Sequence, residues 1–397
     1  MKLPAYSNSI RNWSLHRNIV FLNHGSFGAT PLPIIEKQNQ YRQMMENEPV
    51  DFFVNIMPDL LNKSKAMLSE FLGVKKDELI FVQNTTTGVN QILASFPFKP
   101  ADEWLVTSHA YGACMNAIKH LVSRNNIVLK IADIPFPVKN DEEILKAIGR
   151  EISPNTKLAL IDHITSATGM IFPINEIIDL LHAHGVKVIV DGAHAPGMVH
   201  LNINELDADY YVGNCHKWMC APKGSAFIYV KMEFQESVKP LVISHFNDTD
   251  IGGDSHWSNQ FLWDGTHDFS QYICVGDTID FMSSLHSDGW QGIMDHNHRL
   301  AWQGAKLIAE KLNIELPLEE KYIGCMVNIP MPEGEEGFPK FNETCPLKKV
   351  LFEKYKIEVP IFFFPSAPRQ WLRISAQLYN SLEQYEYLGD CLHKELK

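Results

Sequence analysis

Lys157-Leu-Ala-Leu-Ile-Asp162, Ile174-Asn-Glu-Ile-Ile-Asp-Leu-Leu-His182 and Lys187-Val-Ile-Val-Asp191 are the three consecutive runs that decide the fold. Two short apolar runs, each ending in an aspartate, flank a segment whose apolar residues recur with helical period. Such a crossover sets the two runs side by side and parallel. The alternation extends outward. Upstream it includes Glu78 to Gln83, a helix start at Thr87, Trp104 to Ser108, a helix through Ala117 to Val122, Ile127 to Ile131 and a helix at Glu142 to Ile148; downstream come Asp209 to Val212 and Gly224 to Val230. The expected fold class is α/β, a mainly parallel sheet with helices on both faces and ligands at the carboxyl ends of the strands.

Beyond residue 235 the pattern changes. Ser244 to Trp263 reads as irregular, helical period resumes near Gly276 to Ser284 and Ile293 to Leu312, and strands are expected at Cys325 to Ile329, Ile361 to Phe364 and Trp371 to Ser375. With helices at Leu347 to Tyr355 and the C-terminus, this predicts a smaller α+β C-terminal domain. The expected division is residues 1–20 as a segment packing on the small domain, 21–285 as the large domain and 286–397 as the small one. A net charge of -12 over 397 residues argues against a phosphate-backbone partner. No apolar run approaches the ~20 residues that span a bilayer and the start lacks a signal-peptide core, so a soluble, cytoplasmic protein is expected. The seven scattered cysteines read as buried thiols. His296 and His298 lie two apart on a helical stretch, so their rings diverge; they read as solvated, and no metal site is expected.

Three features carry chemistry. Asp191 ends an apolar strand, where a carboxylate is costly without a positive or protonated partner. Lys217 follows another strand among Trp218, Met219, Cys220 and Ala221, a setting that depresses an amine's pKa and favours attack on carbonyls. Asn84-Thr-Thr-Thr-Gly-Val-Asn90 joins a strand to a helix start, where hydroxyls and N–H groups suit a phosphate. Singly, each has a plainer explanation: a turn-capping aspartate, a lysine lying along Trp218, N-capping by Thr85 or Thr86. Together they supply a lysine for an imine, a carboxylate for a protonated ring nitrogen and a cradle for one phosphate, which is the requirement of pyridoxal 5'-phosphate.

The order Thr85/Thr86, Asp191, Lys217 resembles the fold-type I pyridoxal-phosphate enzymes of the class V aminotransferase family. Phe21 to Gly28, Asp191 to Gly197, Trp263 to Asp268 and Trp371 to Asn380 resemble its isopenicillin N epimerase-like branch. The resemblance implies a seven-stranded sheet and a homodimer with shared active sites. Lys217 would be the Schiff-base lysine and Asp191 the partner of the ring nitrogen. His194 would reach the phenolic oxygen, Thr85 and Thr86 would hold the phosphate with His216 assisting, and Tyr111 would stack on the ring. Thr165 would lie near the cofactor, and Thr266 would reach the phosphate of a neighbouring subunit. Arg373 would grip the substrate α-carboxylate, with Asn23 and His24 lining the substrate side. Asn214 and Cys215 depart from the small residues usual before the His-Lys pair, and the 361–369 loop has no cysteine, which argues against a cysteine desulfurase. The expected reaction is epimerisation of an amino acid or a small amino-acid-containing peptide, with Tyr111, His24 or water as second proton carrier. The alternatives are an aminotransferase or C–S lyase, and less readily a catalytically silent binding protein.

Overall fold

A computed structural model describes residues 3–248, 255–334 and 345–397. After β1 (Val20–Phe21), seven strands build the central sheet: β2 (Leu79–Val82), β3 (Glu103–Thr107), β4 (Val128–Ala132), β5 (Thr156–Asp162), β6 (Lys187–Gly192), β7 (Tyr210–Asn214) and β8 (Ala226–Val230). Their order is β2-β8-β7-β6-β5-β3-β4; β8 alone runs antiparallel to its neighbours. The expected mainly parallel sheet is present. Its central strands are apolar runs because helices cover both faces. Helix Ile174–Ala183, for instance, buries Ile174, Ile177, Ile178 and Leu181 on one stripe. The chain passes from β3 outward to β4 and returns to β5 on the other side of β3. The switch in direction opens a crevice at the carboxyl ends of β3 and β5, where α/β sheets bind ligands.

Two long helices, Leu32–Asn47 and Met57–Leu72, lie outside the elements expected from the sequence. The first buries only Ile34, Gln38 and Tyr41, too sparse a stripe to read as a period. The region read as irregular carries helix His256–Gln260 in its described part, while residues 249–254 lie outside the described residues.

In the C-terminal part β9 (Met326–Pro330), β10 (Ile357–Glu358), β11 (Ile361–Phe363) and β12 (Gln370–Ser375) appear; β11, β12 and β9 form an antiparallel sheet in that order. Helices Gly289–Leu312 and Leu382–Glu395 pack on each other beside it. β1 pairs in parallel with β10, Ser7 N–H donates to the Tyr379 carbonyl at 3.0 Å, and the Trp13 ring lies 5.2 Å from that of Tyr379. These contacts tie the N-terminal segment to the C-terminal part. His296 and His298 are half-buried on helix Gly289–Leu312, not solvated; His298 Nδ1 lies 3.1 Å from the Gly324 carbonyl. Among the described residues no group of three or more His, Cys, Asp or Glu side chains could hold a metal, and no helix is long and apolar enough to cross a membrane.

Candidate active site

Asp162, the last residue of β5, is in register with Asp191, the penultimate residue of β6, so two buried carboxylates stand side by side at the sheet's carboxyl edge. Both cannot easily keep a charge there. Asp191 accepts on both oxygens: Ala193 N–H donates to Oδ1 at 3.0 Å and the Cys114 thiol to Oδ2 at 3.4 Å. Asp162 Oδ2 has no partner among the described residues. Burial, then the charge of Asp191, pushes the Asp162 carboxyl well above the usual range. Burial also raises Asp191, against the pull of Ala193 N–H and Lys217. Both carboxyls are pushed toward the protonated form, Asp162 further than Asp191.

Lys217 lies in the loop after β7. Two left-handed glycines let other turns press on its backbone. A Cβ at Gly28 (φ +70°) would fall 2.1 Å from the His216 carbonyl oxygen, and one at Gly197 (φ +81°) 2.7 Å from the Trp218 carbonyl carbon. Gly28→Ala is expected to destabilise the fold by about 2 kcal/mol or more; an unchanged melting temperature would show that the loop has slack. The Lys217 amine lies 3.0 Å from His194 Nε2. Burial lowers its pKa to about 8, opposed by Asp191 and reinforced by Arg373. A lysine with a lowered pKa is an ammonium below that value and a free amine above it. The rate at which Lys217 reacts with an aldehyde should therefore rise with pH and level off near pH 8. A rate still climbing at pH 10 would contradict this.

The helix start opposite, Thr85–Ser95, is capped by Asn84, whose Oδ1 accepts from Thr87 N–H at 2.9 Å. Asn214 takes the Thr85 N–H at 3.0 Å, which ties the end of β7 to this helix. Thr85 Oγ1 is buried with no partner among the described residues. His216 Nδ1 lies 2.9 Å from the Ser225 carbonyl and so donates to it; with burial lowering its pKa to about 4, the neutral ring leaves Nε2 an acceptor. A phosphate would meet a donor there only if the ring took up a proton. Tyr111 starts helix Gly112–Asn125 with its side chain 47% exposed at the crevice.

Other candidates sit differently from their expected roles. His24 is fully buried, with Nδ1 2.9 Å from Tyr379 Oη and Nε2 3.0 Å from the Lys217 carbonyl, so it braces the lysine backbone. Asn23 is turned to Glu358, donating from Nδ2 at 3.0 Å. The Thr165 hydroxyl is used inside its own turn, 2.6 Å from Thr168 Oγ1 and bonded to Met170 N–H. Thr266 is exposed on the loop before helix Ser270–Ser283. Asp264 and His267 of that loop line a cavity of about 440 Å³ whose walls include neither Lys217 nor Asp191.

Arg373 is buried in β12. Its Nη1 donates to the Ser166 carbonyl, its guanidinium lies 4.8 Å from the centre of the Phe362 ring, and Nε has no partner among the described residues. No carboxylate pairs with it among the described residues. A guanidinium held this way is costly until an anion arrives. Asn328, opposite it on β9, donates to the Ala167 carbonyl at 2.9 Å and leaves Oδ1 unpartnered. Sequence reasoning singled out neither Asn328, Asp162 nor Cys114; strand register brings the first two to the site and helix Gly112–Asn125 brings Cys114.

The aminotransferase class-V family model matches residues 26–336. The chain is 29% identical to an L-cysteine desulfhydrase of Arabidopsis thaliana over 95% of this chain and 87% of that one. It is 27% identical to the isopenicillin N epimerase of Streptomyces clavuligerus over 95% of each. Among solved structures it shares its fold with C-DES carrying glycine covalently linked to its PLP cofactor, at a TM-score of 0.79 and 19% identity over 95% of this chain and 97% of that one. A half-buried lysine beside a buried aspartate pair, facing an unpaired arginine, is set within that fold, and the chain belongs to the aminotransferase class-V family as a pyridoxal-phosphate-dependent enzyme.

Proposed function

We propose that Lys217 binds the cofactor and takes the α-proton from an amino acid whose carboxylate Arg373 holds, with a sulfur-bearing β-substituent then lost. The residues fit the cofactor. The buried, unpartnered Thr85 Oγ1 at a helix start suits a phosphate, and Asp191, whose carboxyl is raised less than that of Asp162, suits a protonated ring nitrogen. Bound there, pyridoxal phosphate supplies a sink for the electron pair left on the α-carbon. Arg373 orients the substrate through a charge-assisted pair. Lys217 Nζ accepts the α-proton and can pass it to the leaving sulfur. With cysteine as substrate, the C–S bond breaks, sulfur leaves with the electron pair and a proton, and addition of water yields pyruvate, ammonia and sulfide. Tyr111 would cover the ring.

The observation that carries β-elimination over epimerisation is the burial of His24. Elimination needs one proton carrier, Lys217, whereas inversion needs a second on the opposite face. His24 has both ring nitrogens engaged beneath Lys217. Epimerisation is the second reading, favoured by the exposed ring of Tyr111, the remaining side-chain candidate. Incubation in deuterated water with L- and D-amino acids, cysteine and cystine included, separates the two. Sulfide and pyruvate are expected; deuterium at Cα with inversion and no sulfide would overturn the first reading. We also propose a homodimer in which Thr266 reaches the partner's phosphate site, to be checked by sedimentation.

A further inference from the structure

Trp218 follows Lys217 and is fully buried. Its indole Nε1 donates to His194 Nδ1 at 3.2 Å, while His194 Nε2 stands 3.0 Å from the Lys217 amine. An indole N–H can only donate, so the nitrogen it meets must carry a lone pair. That leaves Nε2 as the protonated nitrogen of a neutral His194 and excludes the doubly protonated ring, since Nδ1–H would point at the indole proton. The indole is itself fixed. Its ring lies 4.9 Å from that of His24, which bonds the Lys217 carbonyl, and Gly197 presses on its backbone.

We propose that Trp218 is a positioning residue that locks His194 as the Nε2–H tautomer, so that His194 presents an obligatory hydrogen-bond donor to the reactive side of Lys217. The proposal deepens the reading that Lys217 carries the cofactor and rests on it for its functional meaning. In the free protein the donor faces the amine lone pair and favours uncharged lysine. In the loaded protein the same N–H suits an acceptor oxygen on the cofactor ring, a contact the opposite tautomer could not make. Burial and the charge of Lys217 also hold the His194 pKa well below its ordinary value. The other groups acting on the Lys217–His194 pair are Asp191, Asp162, Cys114, Arg373, His216 and His24. None of them donates to Nδ1, which takes its hydrogen bond from the indole N–H.

A neutron structure of the cofactor-free protein exchanged into deuterated water tests the tautomer without any mutation. Deuterium on His194 Nε2 alone is expected; deuterium on Nδ1 would overturn the assignment. The functional half uses Trp218→3-benzothienylalanine, which keeps the ring shape and replaces N–H by sulfur, beside Trp218→Phe. With the donor gone, His194 can present Nε2 as an acceptor to the lysine ammonium, and the pH midpoint of Lys217 reactivity toward an aldehyde should rise by about one unit, the worth of one hydrogen bond. A shape-preserving variant with an unmoved midpoint would show that Trp218 acts by packing alone and would reject the proposal. These readouts need no bound cofactor, so their failure is separable from a failure of Lys217 to bind it.

Discussion

Asp191→Asn is expected to lower kcat/KM by about 10²–10³-fold, the scale of losing one preorganised electrostatic partner, while leaving the cofactor-free protein at least as stable. The amide keeps the volume and the Ala193 N–H contact but removes one of two adjacent carboxylates, and Asp162 then loses the charge that helps hold its proton. Asp191 is also the largest influence holding Lys217 in its charged form, so the aldehyde-reactivity midpoint of Lys217 should fall below about 8. Steady-state kinetics, thermal melting and the pH profile make three checks. A variant that loses stability and keeps its activity would mean Asp191 only caps the turn at Ala193.

Arg373→Met should separate stability from binding. The guanidinium is buried against Phe362 and the Ser166 carbonyl with no acidic partner among the described residues. Replacing it by an apolar side chain of similar length removes an uncompensated charge and should stabilise the cofactor-free protein by about 1–3 kcal/mol. The same change removes the group that meets the substrate carboxylate, and kcat/KM for α-amino acids should fall by about 10²–10³-fold. Substrates in which the carboxylate is amidated should lose little beyond their already poor rate. Equal losses on both kinds of substrate would show that Arg373 serves the fold, not recognition.

The strands were legible because β5 and β6 are covered on both faces and therefore read as unbroken apolar runs. The helices between them were legible by their stripes. Leu32–Asn47 was not, because it buries one flank only, and Gln38 is among the residues on it. Lys217 and Asp191 stood out because their chemistry conflicts with their apolar settings. Asp162 ends a similar strand yet gave no warning, since its meaning lies in its register with Asp191. The Trp218–His194 contact was hidden for a related reason: side-chain direction in a loop is set by tertiary packing. His24 shows the converse. The family resemblance implies the substrate side for it, but Tyr379 and the Lys217 carbonyl turn its ring inward.

Borohydride reduction of the loaded protein, followed by peptide mapping, bears most directly on the central claim, the covalent attachment of pyridoxal phosphate to Lys217. A reduced pyridoxyl group on Lys217 is expected in stoichiometric yield, with Lys217→Ala leaving no labelled lysine. Label on Lys223 or another lysine, with Lys217 unmodified in fully loaded protein, would contradict the assignment.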